Sequence, residues 1–268
     1  MRYIERIILM IGIFLISLAA AQANPQGLSV SARELSLVGA TLTRTEDAFG
    51  FQNNPATISF NQGIKIAYMN HEMYALGTRY QFAAATLTKG KFAVGLGIKK
   101  LSDADPEFLY RDATNYVSLG TKLKTVGLGI NIKNRAFSLA GGRTGKGWAI
   151  DAGILGNIGD NMVAARIHDL SSTMKYSSGY IEKKEPEISL ALGKTIWGNS
   201  CELSLFNWTK LRLGIERALS PAITLRLGLD TSKIGAGIGF EVFRIKTDYG
   251  IQINEVGMIQ QISMGMEF

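Results

Sequence analysis

Seven ionisable residues in the last third of the chain could carry chemistry together: Arg212, Glu216, Arg226, Asp230, Lys246, Asp248 and Glu267. Each lies in a short segment where apolar and polar residues alternate, as in LRLGIE, ITLRLGLD and IKTDYGIQI. In an extended chain successive side chains point to opposite faces, so these charges share the face that the apolar residues leave. Opposite charges then fall on neighbouring strands, where cross-strand contact neutralises them. Two uses are open: a neutralised polar lining that stiffens the structure, or a path along which a substrate moves.

Other candidates are weaker. His71 and His168 lie far apart with no ligand spacing around either, so no metal site is expected. The stretch GGRTGKG at 141–147 contains a Gly-Lys pair but lacks the spacing of a phosphate-binding loop and a helix after it. No nucleophile–base arrangement is evident, and neither catalytic residues nor a cofactor are expected. The chain reads as non-enzymatic. Cys201 is the single cysteine, which excludes an internal disulfide. The net charge of +7 is scattered along strands and turns without aromatic interleaving, so no nucleic-acid partner is expected.

The elements that must position the charges are strands. KFAVGLGIK at 91–99 places Phe92, Val94, Leu96 and Ile98 on one face and Lys91, Ala93, Gly95, Gly97 and Lys99 on the other. The same rhythm recurs at 126–133, 148–154, 188–193, 211–215, 223–229, 234–242 and 245–253, with weaker candidates near 63–71, 78–88, 114–124, 161–171 and 200–208. With the terminal segment this predicts about 14 strands, most near the 9–11 residues that a tilted strand needs to cross a bilayer. A secreted sandwich also alternates, but its wet face carries charged or hydroxyl side chains. Here the second face is largely glycine: Gly95, Gly97, Gly127, Gly129, Gly153, Gly193, Gly235, Gly237 and Gly239. So many strands with an oily outer face call for closure, because open edges are not tolerated in lipid. The expected fold is all-β, a transmembrane antiparallel β-barrel. The larger connections, at 102–114, 140–146 and 172–186, alternate with tight ones, as the two ends of such a barrel require.

Both ends of the chain agree. The last eleven residues read MIQQISMGMEF, with Ile262, Met264, Met266 and Phe268 alternating against Gln261, Ser263, Gly265 and Glu267. A closing strand ending in an aromatic residue matches a bacterial outer-membrane barrel, and Met266 and Phe268 are its candidate assembly signal. At the other end Arg2 and Arg6 precede an apolar run over 7–18, then Ala21-Gln22-Ala23. That is the layout of a secretory signal peptide, too short to span as a helix. The expected organisation is a signal peptide at 1–23, a plug segment at 24–61 and the barrel at 62–268, in the cell outer membrane. The expected partners are outer-membrane lipid and the barrel-assembly machinery.

Residues 24–61 lack sustained alternation and would fill or approach the lumen, with a flexible tail as the alternative. Asp47 and Asn54-Pro55-Ala56 form its entry motif into the first strand, since proline and the residue before it hold an extended entry. Ala32-Arg33, Gly39-Ala40, Glu46-Asp47-Ala48 and Asn54-Pro55-Ala56, followed late in the chain by Leu213–Glu216, Leu225–Gly228, Gly235–Phe240 and Asp248-Tyr249-Gly250, resemble the PorV/PorQ group and its FadL-type relatives. That resemblance implies a 14-stranded barrel with an amino-terminal plug. It implies one of two roles. PorV-type members carry or anchor exported proteins in the type IX secretion route, so secretion-system proteins would be partners. FadL-type members pass small hydrophobic molecules. A protein-binding role would use the connections at 102–114, with Phe108, Leu109 and Tyr110, and at 172–186, with Tyr176 and Tyr180.

Overall fold

The computed structural model describes residues 29–73, 78–102 and 110–268; the expected leader, and Phe108 and Leu109, lie outside them. Fifteen strands follow one another: β1 (Gly63–Met73), β2 (Thr78–Lys89), β3 (Phe92–Ser102), β4 (Arg111–Leu123), β5 (Val126–Leu139), β6 (Arg143–Ile158), β7 (Asn161–Tyr176), β8 (Ile181–Glu182), β9 (Glu187–Ile196), β10 (Asn199–Phe206), β11 (Lys210–Ser220), β12 (Ile223–Asp230), β13 (Ile234–Val242), β14 (Ile245–Asn254) and β15 (Gly257–Glu267). All belong to one antiparallel sheet. β8 is a two-residue strand on the rim, so the other fourteen make the wall. β1 pairs with β15 from Lys65↔Glu267 to Asn70↔Ile262, which closes the barrel and removes its edges. No helix among the described residues is long and apolar enough to cross a membrane.

Alternation decides the two faces. Ile64, Ile66, Val94, Leu96, Leu225 and Leu227 stand exposed on the outside, while their polar and glycine neighbours face in. Leu227 is 59% exposed and Arg226 beside it only 8%. Leu227→Arg is therefore expected to cost about 2–4 kcal/mol, the range for a basic side chain near the bilayer midplane. Denaturant titration in lipid vesicles measures this, with Leu227→Gln as the smaller step; equal cost for both would mean that Leu227 does not face hydrocarbon. Aromatic residues mark both rims. Trp197 and Phe243 protrude from turns at the end carrying Phe268, and Trp208 from a turn at the opposite end.

The connections are shorter than the sequence suggests. β4 begins at Arg111, the 140–146 connection shrinks to residues 140–142, and β7 runs on to Tyr176 before the β8 hairpin. Beyond the hydrocarbon band the outward face no longer needs apolar residues. Alternation fades there while backbone pairing continues, and β6 and β7 each reach 16 residues.

Candidate functional site

The lumen is filled by residues 29–61. Ser31 caps α1 (Ala32–Ser36), its hydroxyl accepting from the Glu34 amide at 3.1 Å, and the Glu34 carboxylate reaches back to the Val30 amide at 2.7 Å. Burial pushes the Glu34 carboxyl above its ordinary range, against the lowering effect of that amide. Val38 and Gly39, both at positive φ, reverse the chain after α1. A one-turn helix, α2 (Gly50–Asn53), and a 3-10 helix (Pro55–Phe60) follow, and the chain enters β1 at Gly63.

The wall glycines are where this segment touches the barrel. A Cβ on Gly235 would stand 2.5 Å from the Ser36 carbonyl oxygen, one on Gly214 2.9 Å from the Ala40 Cβ, and one on Gly97 2.8 Å from the Phe51 ring. Gly129 and Gly153 receive Pro55 and Asn54 in the same way. At Gly235 and Gly129 backbone lies against backbone, and at Gly97, Gly153 and Gly214 a plug side chain takes the place of a wall side chain. Asn54 is the fastener. Its Oδ1 accepts from the Ala56 amide at 3.1 Å, and its Nδ2 donates to the carbonyls of Leu42 at 3.1 Å and Ile154 at 3.2 Å, joining two parts of the segment to the wall. Phe49 and Phe51 pack with Phe82 and Tyr116 of β2 and β4, with centroids 5.7–6.2 Å apart.

The seven charges of β11–β15 fall into three groups. Arg226 donates to Glu216 at 2.5 Å and to Asp248 at 2.7 Å, and Arg33 of α1 grips Glu216 with two bonds of 2.8 and 2.9 Å. Arg33 also meets Glu46 at 2.8 Å, with Asp47 3.7 Å away. Asp47 accepts from the Phe49 amide at 2.9 Å, and burial holds its carboxyl above the ordinary range despite Arg33. Gly239 lets Arg226 of β12 reach Asp248 of β14, since a Cβ there would meet both. Lys246 and Lys65 share Glu267 at 2.9 and 3.0 Å, and Lys65 also donates to the Glu46 carbonyl. Arg212 is 3.9 Å from Asp230 and spends its charge over the Phe206 ring, also at 3.9 Å. Of the terminal pair, Met266 lies opposite Ile66, and the Phe268 amide donates to the Ile64 carbonyl at 2.9 Å while its ring is exposed.

Two groups have no sequence signature. Glu202 of β10, fully buried, accepts from the Leu42 and Thr43 amides, the Thr43 hydroxyl and the Ser204 hydroxyl, at 2.5–3.0 Å. On β7 the register shifts opposite Asp151: Ile150 pairs with Ser171 and Ala152 with Ile167. This bulge, with Asp169 at positive φ, gathers His168 and Asp169 around Asp151. Those three could hold a metal by geometry. The Lys133 ammonium, however, lies 2.6 Å from Asp151 and 2.5 Å from Asp169, where a cation would sit. Asn131 ties the group to the plug, donating to Asp151 at 3.2 Å and to the Phe51 carbonyl at 2.8 Å.

Beyond the plug, away from Phe268, lies a chamber of about 230 Å³ lined by Tyr110, Asp112, Arg135, Phe137, Ser172, Met174, Tyr176, Glu182 and Lys184. Tyr110, Phe137 and Tyr176 form a ring series with centroids 5.7 and 6.0 Å apart. Beside it the β7–β9 ladder ends at His168↔Glu187, where β9 begins, and the rest of β7 pairs with β6 and with β8. Lys184 borders both this chamber and a larger open cavity with Pro186, Ile188 and Trp208. Burial, then the neighbouring Arg135 charge, holds the Lys184 ammonium below its ordinary range.

No protein-family model matches the chain, and no curated protein matches it in sequence. Solved structures are similar in fold. A Pseudomonas aeruginosa FadL homologue superposes with a TM-score of 0.65 at 10% identity, covering 90% of this chain and 99% of that one. The P. putida toluene transporter TodX gives 0.58 at 10% identity, over 89% of this chain and 98% of that one. A deltaS2 mutant of the TodX monoaromatic hydrocarbon channel gives 0.63 at 10% identity, over 92% and 100%. At this identity the likeness is one of architecture: the chain is a transmembrane barrel built on the same plan as these channels.

Proposed function

We propose that the chain is an outer-membrane conduit for small hydrophobic molecules, gated by residues 29–61. The observation that carries this reading is the aromatic-lined chamber at the end of the barrel away from Phe268, with residues 29–61 packed against the inner face of the wall. The fold likeness to a toluene transporter supports it. A porin-like aqueous role fits less well, because the plug occupies the lumen. Expression in a Gram-negative host stripped of its own hydrophobe channels is expected to speed uptake of labelled toluene and leave sugar uptake unchanged. Toluene entry no faster than in the empty-vector host would overturn the reading.

A second reading, a PorV-like component that binds exported proteins, is favoured by the motif resemblance and by the β7–β8 hairpin, which holds Tyr180 exposed at the rim. Retention of secreted cargo on the surface of expressing cells, lost on trimming that hairpin, is the result it requires.

A further inference from the structure

We infer that the chamber takes a single-ring aromatic anion, with its ring among Tyr110, Phe137 and Tyr176 and its negative group on Arg135 and Lys184. This rests on the conduit reading and extends its substrate class to single aromatic rings that carry a negative group. Four charged side chains line the chamber, and they are not paired with one another. Both acids are engaged by phenols: the Tyr110 hydroxyl donates to Asp112 at 3.3 Å and the Tyr176 hydroxyl to Glu182 at 2.5 Å. Among the described residues neither the Arg135 nor the Lys184 side chain has an ion pair within 4 Å or a side-chain hydrogen bond, and Glu182 of the same lining attracts Lys184 only at longer range. Two cations therefore face the same cavity with their donors unspent, and burial already disfavours the Lys184 charge.

A neutral hydrocarbon can pass while these donors keep their water, whereas an anion supplies acceptors that replace that water and so is held. A carboxylate supplies two acceptor oxygens, the geometry a guanidinium matches best. The rings select the rest of the molecule. Three aromatic side chains at 5.7–6.0 Å spacing offer edges and faces to a fourth ring. The volume, about 230 Å³, falls below the roughly 300–1,000 Å³ of sites for drug-sized ligands, so it suits one ring with its head group rather than a long chain.

Calorimetric titration of the full chain in lipid nanodiscs tests this, with benzoate as the probe and benzyl alcohol and hexanoate as comparators. Benzoate is expected to bind saturably and about tenfold more tightly than either comparator. Arg135→Gln and Lys184→Gln are each expected to weaken it about tenfold, the worth of one charge-assisted hydrogen bond. Heat-modifiable migration confirms that each variant is folded, and the comparators on the unaltered chain stand whether or not a variant folds. Benzyl alcohol binding as well as benzoate, or benzoate binding unchanged in folded variants, would overturn the inference. The conduit reading is separate, being decided by toluene uptake: it stands if toluene enters while benzoate fails to bind, and falls if benzoate binds while toluene does not enter.

Discussion

A chain lacking residues 29–52 is expected to conduct steadily in planar bilayers, where the intact chain passes little current. A fourteen-stranded wall encloses more space than its own side chains can fill. Here the shortfall is larger than usual, because Gly95, Gly97, Gly129, Gly153, Gly214, Gly228, Gly235 and Gly250 leave the wall without inward side chains at many of the points where the plug lies. Removing the plug leaves that volume to water. The wall itself should survive, since its ladders run strand to strand and none passes through residues 29–52. Asn53 to Asn61 would remain to guide entry into β1. Equal conductance by both chains would mean that the segment does not close the lumen.

Glu202→Ala is expected to release the plug without opening the wall. The carboxylate is fully buried and holds two plug amides and one plug hydroxyl. Its loss strands these donors and the nearby Arg44, 3.8 Å away, at a cost of about 3–5 kcal/mol by analogy with breaking one side of a buried ionic contact. Glu202→Gln should do little better, because its amide group would point a donor at donors. The measurement is trypsin cleavage at Arg33 and Arg44, both buried in the intact protein, alongside denaturant titration. Cleavage no faster than in the unaltered chain, with stability within about 1 kcal/mol, would show that Glu202 is not the anchor.

Much of the barrel was legible because lipid imposes a strict rule on every second residue. Leu227 against Arg226 is enough to phase β12, and the phase then assigns Glu216 and Asp248 to the lumen. The glycines announced a close neighbour on the inner face, with the segment before β1 as the candidate, but not which of its residues each glycine meets. Pairings across the lumen were illegible. Arg33 and Glu216 are separated by 183 residues, and the Thr43–Glu202 contact by 159, with no periodicity linking them. The Lys133, Asp151, His168 and Asp169 group was missed for a different reason: a bulge suspends the period-2 rule, so counting along β7 puts His168 and Asp169 on opposite faces. The rim hairpins were read as loops because the rule lapses once a strand leaves hydrocarbon.

The way α1 lies on β13, β14 and β15 has a consequence for the order of events in folding. The Ala32 amide donates to Ser263, Gln261 donates to the Ser29 carbonyl, and Leu35 and Ser36 rest on β13 and β14. α1 thus has its docking surface in the last five strands, up to 232 residues later. Until those strands are laid, α1 has nothing to bind, and five residues are too few to hold a helix alone. Docking of α1 must therefore follow the laying of β13, β14 and β15. The long loop this closes makes it a slow, late step, and the stopper seats only once the last part of the wall is in place.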